Sequence, residues 1–188
     1  MSLKGKKMNE GTKLFWLIYF LVCAVIFFLR SIKGAKHFRT IQTAKRIYKR
    51  INAIQNGNSG WLLSYLRKID PFVFEELILL AFKKKGFRIK RNKRYTHDGG
   101  IDGKCIRHGE TFIIQAKRYS DYIKEEHVRQ FIKVCHSHKK RGYFIHTGKT
   151  GNETKELIRQ NPQIKLLSGE SLYSLFLQTT SENTKLYF

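Results

Sequence analysis

The chain has 188 residues, of which 37 are Lys or Arg and 14 are Asp or Glu, giving a formal net charge of +23. Its 41% hydrophobic content excludes a wholly disordered chain, and its three scattered cysteines exclude a disulfide scaffold and indicate a reducing compartment. The charge indicates a polyanionic partner, either nucleic acid or an anionic membrane surface.

The first third of the chain is the most basic part. Residues 1–68 contain 14 Lys and Arg but a single acid. Within them Leu14–Leu29 is an apolar run without Gly or Pro, and its neighbours extend it to 14–32, which predicts a transmembrane helix after a basic segment at 1–13. A signal peptide and a buried core helix are the alternatives. No small-residue cleavage site follows, and a helix apolar on all faces needs a larger protein around it.

The charges flanking this run predict its orientation. More Lys and Arg follow it than precede it, so the positive-inside rule puts the C-terminal part in the cytoplasm. Residues 33–68 then form a basic juxtamembrane helical region and linker, with an amphipathic helix expected at 30–55. Part of their charge is attributed to membrane lipid headgroups.

Residues 69–180 are predicted to form one α/β domain, and 181–188 a tail. Asp70 and Pro71 are typical of a helix start, and Gly86 of its end. Strands are expected near 87–91, 101–106, 111–116, 142–147 and 164–167, and further helices at 124–137, 152–160 and 169–177. This order predicts a mixed sheet flanked by helices, with an α-β-β-β-α-β core.

One group of polar residues indicates chemistry. Gln115 and Lys117 alternate along a predicted strand and therefore project from one face. If the preceding strand forms a hairpin with it, Asp102 lies opposite Gln115. A carboxylate, an amide oxygen and a lysine then converge at a sheet edge, which suits Mg²⁺-assisted hydrolysis of a phosphodiester.

The motifs around these residues resemble the Mrr-like restriction endonucleases of the PD-(D/E)xK nuclease superfamily. They stand here as Phe74-Glu75, Gly86-Phe87, Asp98-Gly-Gly-Ile-Asp102 and Gln115-Ala-Lys117, followed by Arg118-Tyr119, in the family's order. The resemblance covers roughly residues 70–177. It implies a restriction-endonuclease-like fold, preceded here by one transmembrane helix.

The resemblance implies a role for each matching residue. Asp102 is the principal metal ligand, Lys117 the catalytic lysine and Glu75 a supporting acid, with Glu76 expected on the surface. Gln115 stands where most of the superfamily has Glu or Asp, a replacement usual in Mrr-like members. Because an amide brings no charge, Glu75 has to supply the second negative group for Mg²⁺ or Mn²⁺.

Residues near the motifs are expected to shape the site or to contact DNA. Asp98, Gly99 and Gly100 form the turn before Asp102, although Asp98 also suits an ordinary turn. The residues expected to contact DNA are Lys90, Arg91, Lys93, Arg94, Arg118 and Tyr119, for which a solvated basic face is the alternative. Zinc held by Cys135, His136, His138 and His146 is disfavoured, because their spacing fits no closed Cys/His pattern.

Together these features predict a single-pass protein of the bacterial inner membrane whose cytoplasmic domain cuts foreign or modified DNA, with a homodimer as a further expectation. A catalytically inactive, membrane-tethered DNA-binding protein and a structure-selective junction nuclease are the alternatives.

Overall fold

The computed structural model describes residues 9–54, 57–91 and 100–177. The chain divides into two compact units, Met1–Arg39 and Thr40–Phe188. The helices are α1 Glu10–Ala53, α2 Ser59–Leu66, α3 Pro71–Lys84, α4 Glu125–Ser137, α5 Asn152–Arg159 and α6 Gly169–Phe176. The strands are β1 Arg88–Arg91, β2 Gly103–Arg107, β3 Glu110–Lys117, β4 Arg141–His146 and β5 Ile164–Leu167.

The first unit contains the apolar part of α1. Residues Gly11–Phe28 have a mean hydropathy of 2.1, and none of this window is buried. Its length and composition suffice to cross a membrane, and a signal sequence near an N-terminus has the same two properties.

Helix α1 includes both stretches predicted to be helical, 14–32 and most of 30–55, without a break. It is continuous over 44 residues, because no proline interrupts its backbone hydrogen bonds. The second unit begins within it, at Thr40. Ala44, Tyr48 and Ile51 are buried in the core of that unit, and the Tyr48 ring packs on Phe176 with centroids 6.2 Å apart.

The second unit is built on one five-stranded sheet in the order β1-β2-β3-β4-β5. The first three strands pair antiparallel, and β3, β4 and β5 pair parallel. This confirms the predicted mixed α/β sheet. A tight turn joins β2 to β3, where His108 and Gly109 both have positive φ angles, of 50° and 80°.

Helices cover both faces of the sheet. On one face α3 contributes Leu77, Ile78 and Phe82 to a core with Phe112 and Tyr143. On the other face α4 contributes Val128, Phe131, Ile132 and Cys135, which pack with Ile113 and Phe144. Each helix buries one apolar stripe against the sheet, as expected for this layered architecture.

Helix α3 begins as predicted, because Asp70 Oδ1 accepts hydrogen bonds from the backbone amides of Phe72 and Val73, at 2.9 and 3.2 Å. Gly86 follows its end with φ +89°, a conformation that favours glycine. These two residues fix the register of the helix and therefore the position of Glu75, one turn from its start.

Candidate active site

The end of β3 presents two polar side chains to one face of the sheet. Gln115 is 5% exposed and Lys117 is half-buried. They pair in register with Phe144 and His146 of the parallel strand β4. Because alternate residues of a strand share a face, both side chains project toward the α4 side, as the buried Ile113 does.

Asp102 lies beside this strand. Gly103 pairs with Ile114, so the next step of the antiparallel register puts Asp102 opposite Gln115. The Asp102 amide donates to the Ile114 carbonyl at 2.9 Å, and Asp102 Oδ2 accepts from the Ala116 amide at 2.6 Å. The half-buried carboxylate is thereby held between the backbone positions flanking Gln115.

The pKa values of the two acids show that their charges share one environment. Burial, together with the Asp102, Glu76 and Asp70 carboxylates, raises the pKa of Glu75 to about 8, while Lys117 opposes the shift. Burial also raises the pKa of Asp102 to about 7, against the Ala116 hydrogen bond and the Lys117 charge. Lys117 is therefore the cation that acts on both acids.

Gly100 orients the Gln115 side chain. Gln115 Nε2 donates to the Gly100 carbonyl at 2.6 Å. Gly100 has φ +81°, and a Cβ there would collide with Gln115 Nε2. The other amide atom, Gln115 Oε1, is buried and accepts no hydrogen bond from any residue that the structure describes. A buried acceptor without a donor costs roughly 1–3 kcal/mol, so this oxygen is available to a ligand.

The oxygen atoms at this edge suit a hard divalent cation. The available donors are two carboxylates and the Gln115 amide oxygen, which match the preference of Mg²⁺ or Mn²⁺ for oxygen ligands. Across 9–54, 57–91 and 100–177, no group of three or more His, Cys, Asp or Glu residues is arranged to hold a metal. A metal at this edge therefore relies on the amide oxygen or on water to complete its coordination.

The residues considered for zinc are separated. Cys135 and His136 lie at the end of α4 near the start of β4, whereas His146 lies at the other end of β4. His146 is fully buried, and burial lowers its pKa to about 4. Residues at opposite ends of β4 are too far apart to bind one ion.

The second glutamate of α3 differs from its expected surface position. Glu76 is 3% exposed, and its Oε2 pairs with Arg91 Nε at 2.8 Å. The charge of Arg91, which comes from β1, compensates a carboxylate that would otherwise be costly to bury. The pKa of Glu75, in the preceding position, responds to Asp102 and Lys117.

The residues predicted to contact DNA have different environments. Lys90 is exposed on β1, while Arg91 is engaged with Glu76. Arg118 Nη1 donates to the carbonyls of Arg67, at 2.9 Å, and of Ile69. Two of the predicted DNA contacts, Lys93 and Arg94, lie outside the described part of the chain. The turn residues Asp98 and Gly99 lie outside it as well.

A hydrogen-bond network that sequence analysis did not predict fixes the chain just after Lys117. Thr147 Oγ1 accepts from the Tyr119 amide and donates to the Tyr119 carbonyl, both at 2.9 Å. Arg67 donates to the Thr147 carbonyl through Nε at 3.0 Å and Nη2 at 2.5 Å. With the Arg118 bonds, these contacts form the Arg67–Arg118 network, which joins the end of β3 to the segment before α3.

Tyr119 and His127 form a further pair at this edge. The Tyr119 hydroxyl and His127 Nδ1 share a hydrogen bond. Burial raises the pKa of Tyr119 to about 12. Burial also lowers the pKa of His127, and the Lys117 and Lys124 charges add to the shift, so the imidazole is predominantly neutral at pH 7.

Comparison with solved structures finds similarity to the structure described as "MspJI Restriction Endonuclease in Complex with 27-mer Oligonucleotide". The two chains share 18% identity with a TM-score of 0.41 over 71% of this chain and 30% of that one. The chain thus spans less than a third of that protein's length. Comparison with curated proteins finds no match.

A family comparison covers more than half of the chain. The restriction endonuclease family Mrr_cat matches residues 66–176. The matched region runs from the last residue of α2 to the last residue of α6 and includes Glu75, Asp102, Gln115 and Lys117. The resemblance seen in the sequence motifs is confirmed: the chain belongs to the Mrr restriction endonuclease family.

Proposed function

We propose that this protein is a membrane-anchored, Mg²⁺-dependent endonuclease that hydrolyses phosphodiester bonds of foreign or modified DNA. Family membership supports a restriction-type nuclease. The observation that best supports metal-dependent chemistry is the Gln115 side chain, whose buried Oε1 lacks a donor among the described residues. The strand register puts this residue opposite Asp102. A site with an available oxygen and two acids of raised pKa favours a bound cation.

In this proposal Asp102, Gln115 and Glu75 hold Mg²⁺ or Mn²⁺. When bound, the ion polarises a phosphate oxygen and lowers the pKa of a water molecule. The Gly100 carbonyl accepts a hydrogen bond from Gln115 Nε2 and so fixes the amide orientation, which leaves Oε1 for the ion. The Ala116 amide holds one oxygen of Asp102, which leaves the other oxygen for the metal.

Lys117 has two tasks in this proposal. Its ammonium orients the attacking water by hydrogen bonding, and its charge offsets the negative charge that develops on the phosphate. The Arg67–Arg118 network holds the strand end that bears Lys117 against the segment leading into α3, which bears Glu75. The lysine and the acid thereby keep one relative position, which the reaction requires.

DNA is the proposed substrate, and the exposed Lys90 is a proposed phosphate contact together with Arg91, Lys93 and Arg94. Arg118 and Tyr119 are proposed to border the DNA. A homodimer belongs to the same proposal, because one site cuts one strand and a duplex has two. Light scattering of the detergent-solubilised protein measures that state.

The test is plasmid cleavage by the full-length protein in detergent. We expect nicking and linearisation with Mg²⁺ and none with EDTA. Asp102→Asn and Lys117→Ala each lower the rate by at least about 10²-fold. Asp121→Asn and Lys155→Ala, which change exposed residues of the same types, leave it unchanged. DNA binding without Mg²⁺-dependent cleavage supports the inactive DNA-binding alternative, and cleavage confined to branched DNA supports the junction nuclease.

The membrane anchor is proposed from the Gly11–Phe28 window and the basic residues that follow it. We expect the full-length protein in the membrane fraction, with its C-terminal part accessible from the cytoplasm. Val22→Arg puts a charge at the centre of the window and disfavours insertion by about 2.5–3.5 kcal/mol. Recovery of the unchanged protein wholly in the soluble fraction contradicts the anchor.

A further inference from the structure

A basic groove lies at the end of the sheet opposite Lys117. Its volume is about 300 Å³, and it is lined by Cys135, His136, Lys139, Lys140, Arg141 and Gln163. Strand β4 begins at Arg141, which pairs with Phe112, and ends at His146, which pairs with Lys117. Five residue steps at about 3.3 Å separate the two ends by about 17 Å.

Cations dominate this groove. Lys139 and Lys140 are exposed, and Arg141 is half-buried with Nη1 3.5 Å from Glu110 Oε1. Lys165 of β5 adds a further cation nearby, since the Arg141 guanidinium joins burial in lowering its pKa. These four cations set against Glu110 leave an excess of positive charge, which a bound anion would offset.

The backbone holds Lys139 in a conformation that is unusual for lysine. Its φ angle is +50°, the left-handed region in which glycine commonly follows a helix end. The Lys139 amide donates to the His136 carbonyl at 2.9 Å, and the Lys140 amide donates to the Cys135 carbonyl at 3.0 Å. Glycine would fit this position without steric strain, so the lysine side chain is retained at a cost to stability.

We propose that this groove binds the phosphate backbone of a nucleic acid segment other than the one held at the Lys117 edge. Three of the six residues that line the groove are cations, and the two lysines among them are exposed. Such a surface fits the repeated phosphates of a polymer better than a single small anion, which favours a cradle of backbone amides. A nucleic acid bound across the Lys117 end leaves the opposite end available to this second segment.

The test measures capture of a second duplex by the full-length protein in detergent, with EDTA present so that cleavage plays no part. An immobilised duplex is saturated with protein, and a fluorescent duplex is then added. We expect wild-type protein to capture the second duplex, and Lys139→Gly with Lys140→Ala to reduce that capture at least about fivefold. The first duplex remains bound in both cases.

Two features keep this test informative. Lys139→Gly relieves the left-handed strain, so we expect the Tm of this single variant to rise or stay constant, and a loss of capture is then not a loss of folding. Lys83→Ala with Lys84→Ala removes two exposed lysines from the end of α3 as a charge-matched control. Equal loss of capture in the control pair overturns the proposal, because general charge then explains it.

Competition identifies the ligand. Unchanged capture by the Lys139→Gly, Lys140→Ala variant overturns the proposal. If inorganic phosphate or pyrophosphate stabilises only the wild-type protein while capture is equal in both proteins, the groove is a small-anion site instead. If detergent micelles containing phosphatidylserine bind the wild-type protein and not the Lys139→Gly, Lys140→Ala variant, while capture of the second duplex is equal in both proteins, the ligand is a lipid surface. Either result contradicts the proposed nucleic acid contact. Because cleavage is not measured, failure here leaves the proposed nuclease activity unaffected.

Discussion

The Gln115 side chain donates through Nε2 to the carbonyl oxygen of Gly100 at 2.6 Å, and this bond fixes the orientation of the amide. The bond leaves Oε1 as a buried oxygen with no donor from the described residues. In the proposed metal site this interaction orients Gln115 Oε1 as a neutral oxygen ligand.

Gly100→Ala tests this orientation. The added Cβ collides with Gln115 Nε2, and the backbone has φ +81°, so we expect lower stability and cleavage reduced at least about tenfold through weaker Mg²⁺ binding. Gly109→Ala is the matched control, because Gly109 has φ +80° but no atom within 4 Å of the added carbon. It shares the backbone strain, about 1–2 kcal/mol, and keeps its Mg²⁺ requirement. If both variants need the same increase in Mg²⁺ concentration for half-maximal cleavage, Gly100 does not act by orienting Gln115.

Gln115→Glu tests the cost of the charge. A carboxylate cannot donate to the Gly100 carbonyl, so two oxygen atoms face each other in a buried position. We expect the metal-free variant to lose roughly 1–3 kcal/mol of stability, and Mg²⁺ to raise its Tm more than that of wild type. Gln115→Met removes the polar atoms without adding charge and separates the two effects. A metal-free Gln115→Glu protein as stable as wild type contradicts the prediction.

The raised pKa values of Glu75 and Asp102 predict how stability varies with pH. The folded state binds these protons more tightly than the unfolded state, whose carboxyls titrate near 4.5 and 3.8. Their contribution to the free energy of unfolding therefore falls as pH rises from about 4 to about 8. The lowered pKa of His146 acts oppositely, but only below its ordinary value of 6.5. Between pH 6.5 and 8 the carboxyl contribution decides the direction.

We therefore expect the metal-free protein to lose Tm between pH 6.5 and 8. Over the same pH range the Tm of Glu75→Gln is expected to fall by about 2–4 °C less than that of wild type. This difference corresponds to about 1 kcal/mol in a chain of this size. Mg²⁺ should stabilise wild type more at pH 8 than at pH 6.5, because it competes with protons for the same oxygens. Scanning calorimetry with EDTA or Mg²⁺ measures these changes. Parallel pH curves for wild type and Glu75→Gln would contradict them.

Arg118 and Lys90 are predicted to behave differently although both were expected to contact DNA. Arg118→Ala removes a donor to two backbone carbonyls, so we expect a loss of roughly 1.5–3 kcal/mol in stability. Lys90→Ala changes an exposed side chain, so stability stays within about 0.5 kcal/mol. The slope of the logarithm of its DNA-binding constant against the logarithm of the salt concentration should become shallower by about 0.9, the value for one phosphate contact. Thermal unfolding and binding at several salt concentrations separate the two roles.

Sequence patterns are sufficient for features that depend on nearby residues. Asp70 and Gly86 bracket α3 because capping is local. The alternation of Gln115 and Lys117 follows from strand geometry, and the short turn between β2 and β3 determines which residue faces Asp102. For these features the structure agrees with the pattern, and the family match explains why the motifs occur in this order.

Features that depend on distant partners were missed. Arg67 and Thr147 are 80 residues apart, and no local pattern pairs them. Glu76 was expected on the surface because its neutralising partner, Arg91, lies on a different element. The orientation of the Gln115 amide depends on a backbone carbonyl. Because every residue has a backbone carbonyl, the sequence does not indicate which one accepts this hydrogen bond.

The burial of Tyr48 against Phe176 also bears on how the protein can be regulated. If α1 anchors the protein, a protease that cuts between Ala53 and Ser59 releases a fragment whose core lacks Ala44, Tyr48 and Ile51. That fragment exposes the apolar surface that these residues covered and loses part of its folding free energy. Under the proposed anchoring, release from the membrane by proteolysis is therefore coupled to destabilisation of the released domain.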